Sequence, residues 1–210
     1  MVNRVEQIFK ETFSPKEFAE QYVHYLKEIM NNLDFDRIGQ FIDLILLARN
    51  TGKRIYFLGN GGSASTASHF ANDLSAGTRS WKKPFKAISL TDNNAILTAI
   101  GNDAGYEEIF VQQLKTHLEI KDVVVAISAS GNSTNVIKAI DYANSIGAVT
   151  VGLTGFDGGK LREVCHLSLH VPSNMGEYGP VEDVHMIFDH LLYGYLLGII
   201  KNENFGNHLL

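Results

Sequence analysis

Two groups of side chains in this sequence have the types and spacing to bind a metal ion or to move a proton. His69 and Asp73 are four residues apart, so they share one face of a predicted helix. The segment VEDVHMIFDH adds Glu182, Asp183, His185, Asp189 and His190. Glu182 and His190 lie about 80° apart around a helix and can point toward one cavity. Two histidines and two carboxylates suit a borderline divalent ion such as zinc, and they equally suit acid–base chemistry.

Each of these residues also has a plainer explanation. His190 adjoins the apolar run LLYGYLLGII, where a single histidine is more often a hydrogen-bonded core residue than a ligand. Asp73 taken alone could be a solvated surface residue. The pairs are more than 100 residues apart, so spacing by itself does not bring them together.

Two turns rich in glycine and serine follow apolar runs: GNGGS at 59–63 and SASGNST at 128–134. A turn of this kind that opens a helix presents free backbone N–H groups, and serine hydroxyls add further donors. Either turn alone could be only a helix N-cap, at Ser63 or Ser133. Two such turns on one sheet edge favour an anion site. Neither matches a P-loop or a dinucleotide fingerprint, so a compact sugar phosphate is favoured over ATP or NAD.

The elements that must position these residues alternate between strand and helix. Five apolar runs predict strands: RIYFLG (54–59), KAISLT (86–91), DVVVAIS (122–128), AVTVGLTG (148–155) and HLSLHVP (166–172). Because the runs are continuously apolar, they indicate a parallel sheet covered by helices on both faces. Ligands of such sheets bind beyond the carboxyl ends of the strands, where both turns fall.

Helical spacing predicts an N-terminal pair of helices, and further helices follow four of the strands or close the chain. The predicted helices cover 16–32, 34–50, 63–76, part of 93–118 with a break at 102–105, 135–146, part of 157–165, and 181–201. We therefore expect one α/β domain over 1–210. Its N-terminal helical pair lies within 1–52 and its α/β core within 53–201.

Composition excludes several classes of protein. The net charge is −5 without a basic cluster, which disfavours direct nucleic-acid binding. Cys165 is the only cysteine, which excludes an intrachain disulfide and fits a reducing cytoplasm. The N-terminal residues lack the apolar core of a signal peptide, and the apolar run at 191–200 is too short to span a membrane. We expect a cytoplasmic protein without a membrane partner.

Taken in order, several segments resemble the sugar isomerase (SIS) domain family, most of all its phosphoheptose isomerase branch. They are GNGGSA, SLTDN, GNDAGYEEIF, SASGNSTNVIKAI, LTGFDGGK and the pattern E-x-x-H-x-x-x-x-H. The resemblance covers roughly residues 40–200. It implies a flavodoxin-like SIS domain with a five-stranded parallel sheet and an N-terminal helical extension. It also implies a homotetramer with active sites between subunits.

The resemblance assigns a role to each candidate residue. Substrate-binding residues are Asn60, Gly61, Gly62, Ser63, Asp103, Ser128, Ala129, Ser130, Ser133 and Glu182, the four serines holding the phosphate. Zinc is the expected divalent metal, with His69, Asp73, Glu182 and His190 as ligands. Asp73 and Glu182 stand where the family usually has Glu and Gln, and Ala129 stands where it usually has Thr.

The activity that the resemblance implies is conversion of sedoheptulose 7-phosphate to D-glycero-D-manno-heptose 7-phosphate. Asp73 removes the proton next to the carbonyl, His190 carries a proton to or from oxygen, and the metal polarises the carbonyl. The alternative is a non-catalytic SIS module that senses a phosphosugar or acts as a replication-initiation adaptor, as the two altered site residues would suit. Two histidines and two carboxylates kept as a set favour the enzyme.

Overall fold

The computed structural model describes residues 3–206. Five strands form one parallel sheet: β1 (Arg54–Gly59), β2 (Lys86–Ser89), β3 (Val123–Ser128), β4 (Val149–Thr154) and β5 (Leu167–His170). Their spatial order is β2-β1-β3-β4-β5. This is the flavodoxin-like order, in which successive strands are added first on one side of β1 and then on the other. The reversal leaves a ligand crevice between β1 and β3. The predicted fold class is confirmed.

Nine α-helices occur within the described residues. They are α1 (Arg4–Glu11), α2 (Pro15–Asn31), α3 (Phe35–Thr51), α4 (Gly62–Asn72), α5 (Asn94–Asp103), α6 (Val111–His117), α7 (Thr134–Ile146), α8 (Gly159–Val164) and α9 (Tyr178–Gly206). The predicted N-terminal pair corresponds to α2 and α3. The sequence prediction missed α1, which comprises only eight residues and begins where the Asn3 side chain accepts a hydrogen bond from the Glu6 amide.

Helices cover both faces of the sheet, as predicted. On one face, α3, α4 and α9 enclose a core that includes Phe41, Phe57 and Phe70. On the other face, α6 and α7 pack over Tyr56 and Leu58 of the same β1 strand. Neighbouring β1 residues thus point to opposite cores, and this is why the strand sequence is continuously apolar.

Helix α2 begins in the way its sequence indicates. The Ser14 hydroxyl accepts from the Glu17 amide, and the Glu17 carboxylate accepts from the Phe13 amide at 2.8 Å. The pattern is similar to a capping box, but Glu17 accepts from the residue before the N-cap, and Pro15 occupies the first helical position. The Asp34 carboxylate caps α3 by accepting from the Arg37 amide at 3.0 Å.

The predicted helix over 63–76 is not regular throughout. Helix α4 ends at Asn72, and the chain continues as a π-helical turn over Asp73–Gly77. In that turn the Thr78 amide donates to the Asp73 carbonyl at 3.0 Å, five residues back. Wide turns of this kind are rare in proteins overall, and those that occur lie frequently at functional sites. The turn begins at a predicted catalytic residue.

Glu177 fastens the N-terminal helices to the start of α9. Its carboxylate is buried and accepts from the Arg4 amide at 2.5 Å, the Tyr25 hydroxyl at 2.6 Å and the Asn174 amide at 2.8 Å. Helix α9 begins three residues before its predicted start. It is the longest of the described helices, and none of them is long and apolar enough to cross a bilayer.

Candidate active site

Three serines of the turn after β3 line a small pocket at the carboxyl edge of the sheet. The pocket has a volume of about 150 Å³ and is lined by Asn60, Ser63, Ile127, Ser128, Ala129, Ser130, Ser133, Tyr178 and Glu182. We call it the serine pocket. The Ser128 and Ser133 hydroxyl oxygens are 3.5 Å apart, and α7 begins directly after Ser133. Hydroxyl donors at a helix N-terminus are suited to an anion such as phosphate.

Glycine is required in this turn because the backbone makes a close approach. Gly131 has φ of 64°, and its amide donates to the Ser128 carbonyl at 3.0 Å. A Cβ atom at this position would collide with the carbonyl group of Gly158. The turn is therefore packed against the loop after β4, and its serines are held in place.

The turn after β1 supplies the opposite wall of the serine pocket. Gly61 has φ of 54° and precedes α4, and Ser63 is buried in the first turn of that helix. A Cβ atom on Gly62 would collide with the Glu182 carboxylate, so the absence of a side chain there lets α9 approach α4. Burial and the charge of Asp183 raise the pKa of Glu182 above its ordinary value.

A second polar cluster lies farther along α4 and α9. One possible metal-ligating atom from each of His69, Asp73, Asp189 and His190 lies within 4.8 Å of the other three. We call these four residues the metal cluster. The His69 Nε2 atom is 3.6 Å from a carboxylate oxygen of Asp73 and 3.6 Å from one of Asp189. The His69 and His190 rings have centroids 5.2 Å apart. The structure thus brings together three of the four predicted metal ligands.

Asp189 is the member that the sequence analysis did not assign to the site. Its side chain is fully buried, and neither carboxylate oxygen has a hydrogen-bond partner among the described residues. Burial, and then the charge of Asp73, raise the pKa of Asp189 to about 7. A buried carboxylate without a partner is costly, and a cation would provide that partner. The cluster therefore fits a divalent metal.

Glu182 and Asp103 lie outside this cluster. The Glu182 carboxylate lies against Gly62 in the serine pocket, two helical turns from Asp189. Asp103 ends α5, where its carboxylate accepts from the Asn102 side chain at 2.7 Å. It is not among the residues that line the serine pocket. Contact of Asp103 with a sugar therefore stays a prediction.

The serine pocket and the metal cluster are joined by the same pair of helices. Gly62 faces Glu182, and seven residues farther along both helices His69 faces Asp189. Residue numbers rise from one contact to the other along both helices, so α4 and α9 run in the same direction. Seven residues are nearly two turns, which places the two sites about 10 Å apart. An anion site and a proton-transfer or metal site at this separation can hold the two ends of one extended molecule.

Known proteins are similar to this chain in sequence and in fold. The chain belongs to the SIS domain family, whose family model matches residues 17–155. It is 43% identical over 152 residues to the phosphoheptose isomerase of Aliarcobacter butzleri, covering 72% of this chain and 77% of that relative. It is 34% identical over 193 residues to the phosphoheptose isomerase of Aquifex aeolicus, covering 91% and 94%.

A solved structure agrees with these relatives. The phosphoheptose isomerase from Francisella tularensis has a TM-score of 0.77 and 26% sequence identity, covering 88% of this chain and 98% of that one. Within the SIS domain family, the chain thus falls among the phosphoheptose isomerases.

His185 gives a testable pH dependence of stability. It is fully buried on α9, and burial lowers its pKa to about 4. Between that value and the ordinary 6.5, the unfolded chain binds a proton that the folded chain does not. We expect the free energy of unfolding of the wild type to fall relative to that of His185→Phe as the pH drops from 6.5 to 4. The difference should reach up to about 3 kcal/mol.

Urea denaturation of both proteins at several pH values measures this difference. The raised pKa of Asp189 acts with the opposite sign over the same range, but it is present in both proteins and cancels in the comparison. Parallel pH profiles for the two proteins would contradict the prediction.

Proposed function

We propose that this chain interconverts sedoheptulose 7-phosphate and D-glycero-D-manno-heptose 7-phosphate. Relatives called phosphoheptose isomerase over most of both chains support it. The observation that carries it is the placement of the serine pocket and the metal cluster about 10 Å apart along α4 and α9. A seven-carbon sugar carries its phosphate at one end and its reacting carbons at the other.

The phosphate binds in the serine pocket. Hydroxyl groups of Ser63, Ser128, Ser130 and Ser133 donate to its oxygens, and the N-terminus of α7 adds a favourable dipole. Hydrogen bonds to the phosphate fix the remote end of the substrate, so their binding energy orients the carbonyl end. The Glu182 carboxylate accepts hydrogen bonds from sugar hydroxyls beside the phosphate.

The metal cluster holds a divalent ion, and we assign zinc. Two histidines and one carboxylate form a known three-ligand set of catalytic zinc sites, and His69, His190 and Asp189 supply that set. The unpartnered, buried carboxylate of Asp189 supports its place as the acidic ligand. A bound ion would polarise the substrate carbonyl and stabilise negative charge on its oxygen.

Asp73 is then free to act as the base. The side-chain amide of Asn72 donates to one carboxylate oxygen of Asp73 at 3.1 Å, and the other oxygen faces His69. Asp73 takes the proton from the carbon next to the carbonyl and returns it to the former carbonyl carbon. A second proton moves between the two sugar oxygens, so the reaction consumes no oxidant or reductant. In this arrangement His190 holds the ion and does not carry the proton.

Replacing the base gives the test of function. We expect wild-type protein with zinc to convert sedoheptulose 7-phosphate, and Asp73→Asn to lower kcat by about 10²- to 10⁴-fold because an amide cannot accept the proton. Bound zinc should stay near the wild-type amount. Asp43→Asn on the exposed side of α3 is the matched control and should keep wild-type kcat.

Formation of the aldose product is followed by chromatography. Wild-type protein that binds zinc and sedoheptulose 7-phosphate without converting it would contradict the proposed function. Full activity of Asp73→Asn would contradict only the assignment of the base.

Replacing Asp189 tests the metal site without an activity assay. Asp189→Asn keeps the shape of the side chain and removes the charge, so we expect zinc content per chain to fall at least tenfold after dialysis. The rise in Tm on adding zinc should disappear with it. Mass spectrometry of metal content and thermal unfolding measure both, with Asp43→Asn again as control. Undiminished zinc binding would remove Asp189 from the ligand set.

The proposal includes a homotetramer. Helices α1 and α2 and their connection expose large apolar side chains, among them Phe9 at 72%, Phe13 at 94% and Val23 at 49%. No residue of helix α5 is fully buried within the chain, although half of its sequence NAILTAIGND is apolar. Such surfaces are typical of subunit contacts. Light scattering at micromolar concentration should give four times the chain mass of 23.2 kDa, and a monomer would contradict this.

A further inference from the structure

The side-chain amides of Asn60 and Asn135 form a reciprocal hydrogen-bonded pair. Asn60 Nδ2 donates to Asn135 Oδ1, and Asn135 Nδ2 donates to Asn60 Oδ1, each at 2.9 Å. Asn60 lies in the turn after β1, which leads into α4. Asn135 is the second residue of α7, directly after the serine turn. The amide pair therefore joins the two loops on either side of the crevice between β1 and β3.

Other contacts hold this amide pair in one orientation. Asn60 Oδ1 also accepts from the Tyr106 hydroxyl at 2.9 Å, and Asn135 Oδ1 also accepts from the Val136 amide at 2.9 Å. Asn135 is only 3% exposed. Both acceptor positions of Asn60 are thereby used, and one of its N–H groups is left for a ligand.

Tyr106 is itself fixed to α7. It begins a short 3-10 helix, Tyr106–Glu108, whose last residue forms an ion pair with Lys138 at 2.9 Å. Lys138 lies one turn after Asn135 on the same helix. The turn after β1 is thus connected to α7 directly through Asn135 and indirectly through Tyr106.

We propose that Asn135 is a positioning residue that fixes the distance between the phosphate anchor and the reacting side chains. The inference rests on the proposed function. Three of the four serines that hold phosphate, Ser128, Ser130 and Ser133, precede α7. Ser63, His69 and Asp73 follow the turn after β1. The amide pair is the side-chain link between these two segments. Displacements of about 1 Å at a reacting centre cost up to about 10² in rate, so a loosened link lowers kcat without touching the substrate.

The variant Asn135→Asp tests this role because it keeps the shape of the side chain. It removes the Nδ2 donor and places a charged oxygen opposite Asn60 Oδ1. We expect the Kd of inorganic phosphate, measured by calorimetry, to rise by no more than about twofold, because Ser128, Ser130 and Ser133 stay together in one turn. The Kd of sedoheptulose 7-phosphate should rise about tenfold and kcat should fall at least tenfold, since the sugar spans both segments.

Amide hydrogen exchange supplies a readout that needs no ligand. In Asn135→Asp, amides of residues 60–66 should exchange faster, whereas those of 123–128 in the sheet should not change. The matched control is Asn144→Asp, at the other end of α7. The side-chain amide of Asn144 donates to the Val164 carbonyl and accepts from the Thr150 hydroxyl. Loss of stability there should leave both Kd values and kcat as in the wild type.

Tyr106→Phe carries the test should Asn135→Asp fail to fold, because Tyr106 is 61% exposed and contributes one hydroxyl to the link. It should change kcat and exchange at 60–66 in the same direction and by less. A folded Asn135→Asp with wild-type kcat and exchange overturns the proposal. An equal loss of kcat in Asn144→Asp also overturns it. If Asn135→Asp does not fold, wild-type kcat and exchange in Tyr106→Phe overturn it instead. A wild type that binds the sugar without isomerising it contradicts the proposed function, while exchange and binding still test the link.

Discussion

The close approach of α4 and α9 determines how the serine pocket and the metal cluster lie relative to each other. Gly62 has no side chain, so the Glu182 carboxylate rests against the first turn of α4, and two turns later His69 meets Asp189. The two helices pack against the same face of the sheet. Because both are held by that shared core, the serine pocket and the metal cluster keep a fixed separation. A larger residue at position 62 would move α9 and change both sites together.

The serine pocket favours an anion without using a cationic side chain among its lining residues. Hydroxyl groups, backbone amides and a helix terminus bind phosphate with modest strength. This suits an enzyme that must release its product, since very tight binding of substrate alone does not accelerate the reaction. The Glu182 carboxylate lines the same pocket. We propose that its negative charge favours sugar hydroxyls over a second phosphate group.

The sequence predicted the sheet and both turns because these depend on local patterns. Continuous apolar runs indicated buried parallel strands, and glycine with serine indicated the two turns. Three features depended on packing instead. Helix α1 has apolar residues at helical spacing but comprises only eight residues. The π-helical turn at Asp73 has no local signature, and in the sequence Asp189 is one more acidic residue in an apolar helix. Only the approach of α4 shows that its carboxylate is buried beside His69 and lacks a hydrogen-bond partner in the described chain.

The buried carboxylate of Glu177 has a consequence for the order of folding. It joins the backbone of Arg4 to the residue just before α9, across 173 positions of sequence. Tyr178 and Glu182, which close the serine pocket, follow directly on α9. During synthesis on the ribosome, the first helix must wait for nearly the whole chain before this contact can form. Contacts between such distant residues form slowly, so we expect the pocket to be completed late, after the central strands have paired.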